Sequence, residues 1–348
     1  MRESNFWDEF EYSKLKLLLN IDKVNSIMDV ANGKKMLDKS FPISVELHLT
    51  DLCNLKCSWC TDKELRKNRA TLSLETIRKI FKEFAEHNTG ITLEGGGEPT
   101  LHPNFKEIVD VGSELGLDLG LITNGTIDIS DSIHKLKWIR VSLDSSNENE
   151  YKSEKGVDAF EKVLENLKRM TAIRNPQKTF VGVGYVLTKR NQNNLEDLIN
   201  QLDEIGIDYI YIRPVEEAPD IMPTVEEMLD LRKKLVEITS DKRIKYMLTI
   251  ADRVIENNNN LPCIAHSLTS IIHANGDVSL CEKRRNENTI LGNVNNSYFC
   301  EIWESTYREQ YTQRLLSAEC QQGCSACRIT GFNMMFDSLN KLNTKHFI

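Results

Sequence analysis

Between residues 43 and 213, short apolar runs rich in β-branched residues alternate with longer amphipathic stretches. The runs at about 43–49, 90–95, 117–123, 138–144, 179–187 and 207–213 predict strands. The stretches at about 73–88, 103–115, 157–174 and 193–205 repeat apolar residues at helical spacing, with a weaker pattern near 129–136. Strand–helix alternation of this kind predicts a parallel sheet. Six such units suit either a partial β/α barrel or an open, doubly wound sheet.

Alternation within the strands narrows the picture. Val45, Leu47 and Leu49 share one face of the first strand, and Glu46, His48 and Thr50 the other. In the fourth, Ile139, Val141 and Leu143 oppose Arg140, Ser142 and Asp144. The apolar faces suit the helical layer. Burying the polar faces unpaired would cost a few kcal/mol per group, so they predict a wet or ligand-filled interior. Strands at an exposed edge are the alternative.

The chain has 348 residues, 40% hydrophobic and 28% charged, with a net charge of -8, which suits a large core and gives no sign of a nucleic-acid partner. No apolar run reaches membrane-spanning length, so no membrane partner is expected. The start, Met1-Arg2-Glu3-Ser4-Asn5-Phe6-Trp7-Asp8, lacks signal-peptide character. The expected location is the cytoplasm, where cysteines serve as metal ligands more readily than as disulfides.

The nine cysteines fall in two groups. Cys53, Cys57 and Cys60 form a CxxxCxxC unit, and six more lie beyond residue 260. Three thiolates on one short loop can converge on a soft metal centre. An iron–sulfur cubane normally takes four ligands, so three leave one iron open. Zinc or buried thiols are the alternatives. The spacing, with Trp59 just before the last cysteine, resembles the radical SAM superfamily. That resemblance implies a 4Fe–4S cluster on Cys53, Cys57 and Cys60, with S-adenosylmethionine at the fourth iron. It also implies that the β/α units form a partial (β/α)6 barrel.

Further motifs stand at strand ends, where β/α folds gather ligand contacts. Glu94-Gly95-Gly96-Gly97-Glu98-Pro99 follows the second strand. Its glycines allow close approach of the backbone to a ligand. It resembles the GGEP motif of the same superfamily, which assigns Gly96, Gly97 and Glu98 to the methionine amino group. Asn124 ends the third strand, and Ser142 and Asp144 end the fourth. The resemblance makes these cofactor contacts, Ser142 and Asp144 for ribose or carboxylate. A capping or turn role is the alternative for Asp144. Gly182 and Gly184 could admit the adenine ring. Arg213 could neutralise a carboxylate of cofactor or substrate, or form a surface ion pair. Glu46, His48, Arg140 and Arg213 are the candidate substrate-binding groups.

After Asn257-Asn258-Asn259-Asn260, Cys263 precedes Asn275-Gly276-Asp277, a strong hairpin signal, and Cys281 follows it. Cys320, Cys324 and Cys327 come later. The order resembles the auxiliary-cluster extension of SPASM and twitch radical SAM enzymes, and implies one auxiliary 4Fe–4S cluster on Cys263, Cys281, Cys324 and Cys327, with Cys320 as an alternative ligand. A Cys₄ zinc site remains open for this segment by itself. Cys300 and Cys320 are left as buried hydrophobes or as hydrogen-atom donors to a substrate radical.

The expected fold is thus α/β. It comprises an N-terminal helical extension over 1–41, a partial (β/α)6 barrel over 42–240, and a small cysteine-rich β-hairpin and helix extension over 241–348. The resemblance implies reductive cleavage of S-adenosylmethionine to a 5′-deoxyadenosyl radical, with electrons from a flavodoxin- or ferredoxin-type reductant. The substrate is a small molecule or a peptide. The stretch before the first strand is short for a peptide-binding domain, which favours oxidation or epimerisation of a small polar, sugar- or cyclitol-like molecule. A peptide maturase or epimerase is the alternative, and a non-catalytic metal-binding scaffold a more distant one.

Overall fold

The computed structural model describes residues 14–216, 218–249, 261–285, 287–316 and 327–342. Helix α1 (Ile21–Ala31) precedes the sheet. The barrel units follow: β1 (Ser44–Leu47), α2 (Leu74–Glu86), β2 (Gly90–Leu93), α3 (Phe105–Glu114), β3 (Leu119–Thr123), β4 (Trp138–Ser142), α4 (Glu148–Lys155), α5 (Phe160–Ile173), β5 (Phe180–Leu187), α6 (Leu195–Ile205) and β6 (Tyr209–Pro214). Then come α7 (Val225–Ile238), β7 (Lys245–Leu248), β8 (Thr269–Ile272), β9 (Asp277–Ser279), β10 (Gly292–Asn293), α8 (Phe299–Trp303), α9 (Thr306–Leu316) and α10 (Thr330–Lys341).

The strands form one sheet in the order β10-β9-β8-β1-β2-β3-β4-β5-β6-β7. Among the described residues its edge strands, β10 and β7, do not pair with each other, so the barrel is partial. β1 to β6 are parallel neighbours, as the alternation predicts. The helices bury one stripe each. In α2 this is Ile77, Ile80, Phe81 and Phe84, the i, i+3, i+4, i+7 set, with Ser73 accepting from Thr76 N at the N-cap. Val45, Leu47, Ile139 and Val141 are all buried in the same core, so the opposite strand faces line the lumen.

Three elements depart from the expected six units. α7 and β7 extend the series, β7 pairing parallel to β6. α4 escapes the pattern because its sequence, ENEYKSEK, has a single apolar residue, Tyr151; Asn147 caps it and Gly156, at φ +71°, ends it. The predicted hairpin around Gly276 forms β8 and β9, and Gly276 takes φ +90°. β8, however, also pairs parallel to β1, so the cysteine-rich extension continues the barrel sheet.

The two ends of the described chain meet beneath the barrel. Leu17, Ile27, Ile264, Ala265, Leu268, Ile329 and Phe336 form a second apolar nucleus. Asp38 ties it down. It pairs with Lys23 at 2.6 Å and accepts from Ser26, Ser40 and Ser267 hydroxyls. Burial pulls the Lys23 ammonium down to about 8 against the opposing pull of Asp38. Removing one partner of a buried pair strands the other charge. Asp38→Ala should therefore lower the unfolding free energy by about 3–5 kcal/mol in urea titration, whereas Lys23→Met with Asp38→Asn should restore part of the loss.

Candidate active site

The Cys53, Cys57 and Cys60 loop leaves the end of β1 and is pinned on three sides. Leu72 N donates to Leu49 O at 3.0 Å and Asp51 N to Ala70 O at 2.8 Å. Asn54 Nδ2 donates to Thr126 Oγ1 at 2.8 Å, and Asn124 Nδ2 to Asn54 Oδ1 at 2.8 Å. From α4, the carbonyls of Lys155 and Glu154 accept from Lys56 N and Ser58 N at 2.9 and 3.2 Å. Leu55 is buried between the cysteines, while all three thiols are half-buried. Arg66 donates to Leu55 O at 2.9 Å and places Nη1 3.8 Å from Cys60 Sγ. Burial pushes the Cys53 and Cys57 thiols up, with Arg66 opposing this at Cys53 and Lys155 at Cys57.

The glycine motif packs against this loop backbone to backbone. Gly97 N donates to Thr50 O at 2.8 Å and Glu98 N to Leu52 O at 2.7 Å. A Cβ on Gly97 would lie 2.0 Å from Leu52 O. Gly95 and Gly96 take φ of +70° and +61°, and a Cβ on Gly95 would strike the His48 ring. The glycines thus serve the approach of protein to protein first. The buried Glu98 carboxylate accepts from Thr100 N, Thr100 Oγ1, Thr123 Oγ1 and Asn124 N, at 2.6–3.1 Å. It joins the ends of β2 and β3, with its side chain engaged by protein donors.

At the end of β4, Ser142 is half-buried on the lumen face. Asp144 is buried, ion-paired with Lys155 and accepting from Val186 N at 2.6 Å. The expected ribose or capping role therefore gives way to a buried pair whose carboxylate is occupied. Burial works against the Lys155 cation, but Asp144 and then Cys57 outweigh it and hold its pKa above the ordinary lysine value. Lys155, which lies 5.6 Å from the Trp59 ring centre, escaped sequence reasoning along with α4.

Gly182 and Gly184 lie on the lumen face, but protein covers them. A Cβ on Gly182 would meet the Tyr209 ring at 2.3 Å, and one on Gly184 would touch the Arg140 stem at 3.4 Å. Adenine at Gly182 is ruled out by that ring. Glu46 pairs with Arg328, which also binds Glu282 at 2.6 Å. Arg213 lies 3.3 Å from Glu216, and Lys283 3.1 Å from the same carboxylate. Arg285 pairs with Asp62 of the front loop. The segment after Cys281 is thereby stitched to the front loop, β1 and the end of β6. His48 is buried, edge-on to His273 with ring centres 5.1 Å apart; burial presses both imidazoles down to about 3, so they are neutral.

Cys263 and Cys327 pack against the second apolar nucleus, and Asn333 Nδ2 lies 3.9 Å from Cys263 Sγ. Cys281 follows β9, its carbonyl accepting from Arg284 N at 3.0 Å. Cys320 and Cys324 lie outside the described residues. Cys300 does not reach the lumen. It sits on α8 in the helical layer, where Glu83 of α2 accepts from its backbone N–H at 2.9 Å, so donation of a hydrogen atom from Cys300 to a lumen substrate is excluded.

The front thiols sense one another's charge. Three thiols on one short loop can each take one iron of a cluster and leave the fourth open. The adjoining Arg66 and Lys155 cations suit bound thiolates. The all-thiol donor set with its adjoining cations therefore fits an iron–sulfur cluster.

Comparison with known proteins agrees. Residues 47–202 match the model of the radical SAM superfamily, and residues 263–328 that of an iron–sulfur cluster-binding domain, SPASM. A probable GTP 3',8-cyclase of Sulfurisphaera tokodaii is 30% identical, over 59% of this chain and 70% of its own. The mycofactocin maturase MftC of Mycobacterium tuberculosis is 24% identical, over 82% of this chain and 79% of its own. Among solved structures, Streptococcus suis SuiB bound to precursor peptide SuiA is similar in fold, with TM-score 0.64 and 17% identity over 77% of this chain. The chain spans 65% of that SuiB chain.

The close packing at Gly97 gives a test. Gly97→Ala should displace the front loop, and anaerobic reconstitution should then yield about half the wild-type iron per chain, because one of two four-iron sites is lost.

Proposed function

Because the chain belongs to the radical SAM superfamily and carries a C-terminal SPASM-type cluster-binding domain, we propose that it is a peptide-modifying enzyme, a maturase of a ribosomally made precursor. Its cofactors are a 4Fe–4S cluster, S-adenosylmethionine and an auxiliary iron–sulfur cluster. Bound together, the first two supply a 5′-deoxyadenosyl radical that removes a hydrogen atom from the substrate.

In this reading Cys53, Cys57 and Cys60 ligate the front cluster, with Arg66 beside Cys60 and Lys155 near Cys57 balancing thiolate charge. Backbone groups of Gly96 and Gly97, together with Ser142, face S-adenosylmethionine. Glu98, Asn124 and Asp144 hold the strand ends that carry these groups. Cys263, Cys281, Cys324 and Cys327 ligate the auxiliary cluster. The lumen takes the substrate, and the ion pairs of Lys283, Arg285 and Arg328 hold the segment after Cys281 against it, which limits water. A flavodoxin- or ferredoxin-type protein supplies the electron.

The span of the maturase match carries the peptide reading. It runs through 82% of this chain, whereas the cyclase match covers 59%. The likeness to a peptide-bound SuiB supports it. The small sugar or cyclitol-like substrate favoured by the sequence finds no support in these comparisons. For an epimerising outcome the position of Cys300 leaves Cys320 as the remaining candidate hydrogen-atom donor.

The reconstituted enzyme should form 5′-deoxyadenosine with dithionite, and Cys57→Ala should abolish this. With peptides uniformly deuterated at carbon, the product should carry deuterium by mass spectrometry. Deuterium from a cyclitol or sugar, and none from any peptide, would contradict the peptide reading.

A further inference from the structure

Eight charged side chains around the lumen and the segment that closes it pair with one another. Arg328 binds Glu46 and Glu282, Arg213 and Lys283 bind Glu216, and Arg285 binds Asp62. Among the described residues, Arg140 of β4 and Glu94 at the end of β2 have no ion pair. They are near enough for Arg140 to stabilise the Glu94 carboxylate, yet they do not touch. One cation and one anion are thus held apart beside eight side chains that are matched.

The Arg140 position is built. β5 lies between β4 and β6, and its lumen face carries Gly182 and Gly184. Without side chains there, the neighbouring strands reach over β5. The Arg140 stem lies along Gly184, and its guanidinium sits 4.6 Å from the Tyr211 ring centre and 5.7 Å from that of Trp138. Trp138 in turn rests on Gly120, where a Cβ would lie 2.2 Å from its ring. Aromatic faces hold a guanidinium by its π surface and leave its N–H edge free. A planar, forked donor edge in a sheltered site matches a carboxylate in bidentate fashion.

We propose that Arg140, held by Tyr211 and Trp138, is the anchor for a carboxylate of the substrate, and that Glu94 opposite it fixes the direction in which that substrate lies. Burial pushes the Glu94 carboxyl up to about 7, with Arg140 the main opposing influence. A carboxylate placed on Arg140 would therefore face a Glu94 whose ionised fraction opposes it modestly. The source of the carboxylate is either the C-terminus of a peptide or an acidic side chain. This assignment rests on the lumen being the substrate site of a peptide-modifying enzyme.

Equilibrium dialysis of the reconstituted holoenzyme against three tetrapeptide pools tests it. One pool has a free C-terminal acid and no Asp or Glu. A second is amidated and carries one Glu, and a third is amidated and has no carboxylate. The wild type should retain the first or the second about tenfold more than the third, as expected for a lost charge-assisted pair worth about 1.4 kcal/mol. Whichever pool is retained identifies the source. Arg140→Met should abolish the preference and Arg140→Lys restore part of it. Glu94→Gln should enlarge it about threefold by removing a like charge, a gain that a misfolded lumen would not give. Equal retention of the three pools by the wild type, or an unchanged preference in Arg140→Met, overturns the assignment. If the preference holds but no peptide yields deuterium to 5′-deoxyadenosine, the peptide-modifying reading fails instead.

Discussion

Two hydrogen bonds decide where the reactive end of this barrel lies. Gly97 N donates to Thr50 O and Glu98 N to Leu52 O, so the loop after β2 is fastened to the loop after β1 at backbone contact distance. No residue with a side chain fits at position 97, since its Cβ would overlap Leu52 O. The cysteine loop is thus positioned by the glycine motif beside it as well as by its own sequence. Glu98 extends the fastening to β3 through Thr123 and Asn124, and Asn124 returns to the cysteine loop through Asn54. The result is a closed circuit around the ends of three strands, so a defect at one point should be felt at all of them.

The far side of the same loop rests on α4, and the lumen is closed by chain from beyond Cys281. Ion pairs from Lys283, Arg285 and Arg328 reach β6, the front loop and β1 respectively. Continuity of β8 with β1 makes this possible, because it brings the cysteine-rich extension to the edge of the first barrel strand. The auxiliary segment and the front loop are therefore parts of one sheet-based structure, and the lumen is walled by both.

Much of this was legible in the sequence because it depends on period and spacing. The strands β1 to β6 and helices α2, α3, α5 and α6 repeat apolar residues at periods of two and 3.6, and they appear within a few residues of the expected bounds. The CxxxCxxC and GGEP spacings pointed to the reactive end. α4 was not legible, because capping by Asn147 and contacts to the front loop hold it with little amphipathic character. Nor was the role of Asp144, whose partner Lys155 lies on that helix. The glycines of β5 mark close approach, but sequence cannot say whether a ligand or the Tyr209 ring and the Arg140 stem would approach. Cys300 looked available because spacing shows which residues are left over, but not that α8 lies in the outer layer.

The central claim is a front cluster, held by Cys53, Cys57 and Cys60, with one iron open to S-adenosylmethionine. Electron paramagnetic resonance of the dithionite-reduced, reconstituted protein tests it most directly. Addition of S-adenosylmethionine should change the spectrum of one 4Fe–4S species in the wild type. A variant with all three front cysteines replaced by alanine should lose that species and keep a second signal that S-adenosylmethionine does not affect. A wild-type spectrum indifferent to S-adenosylmethionine, or a responsive signal that survives the triple replacement, would contradict the account.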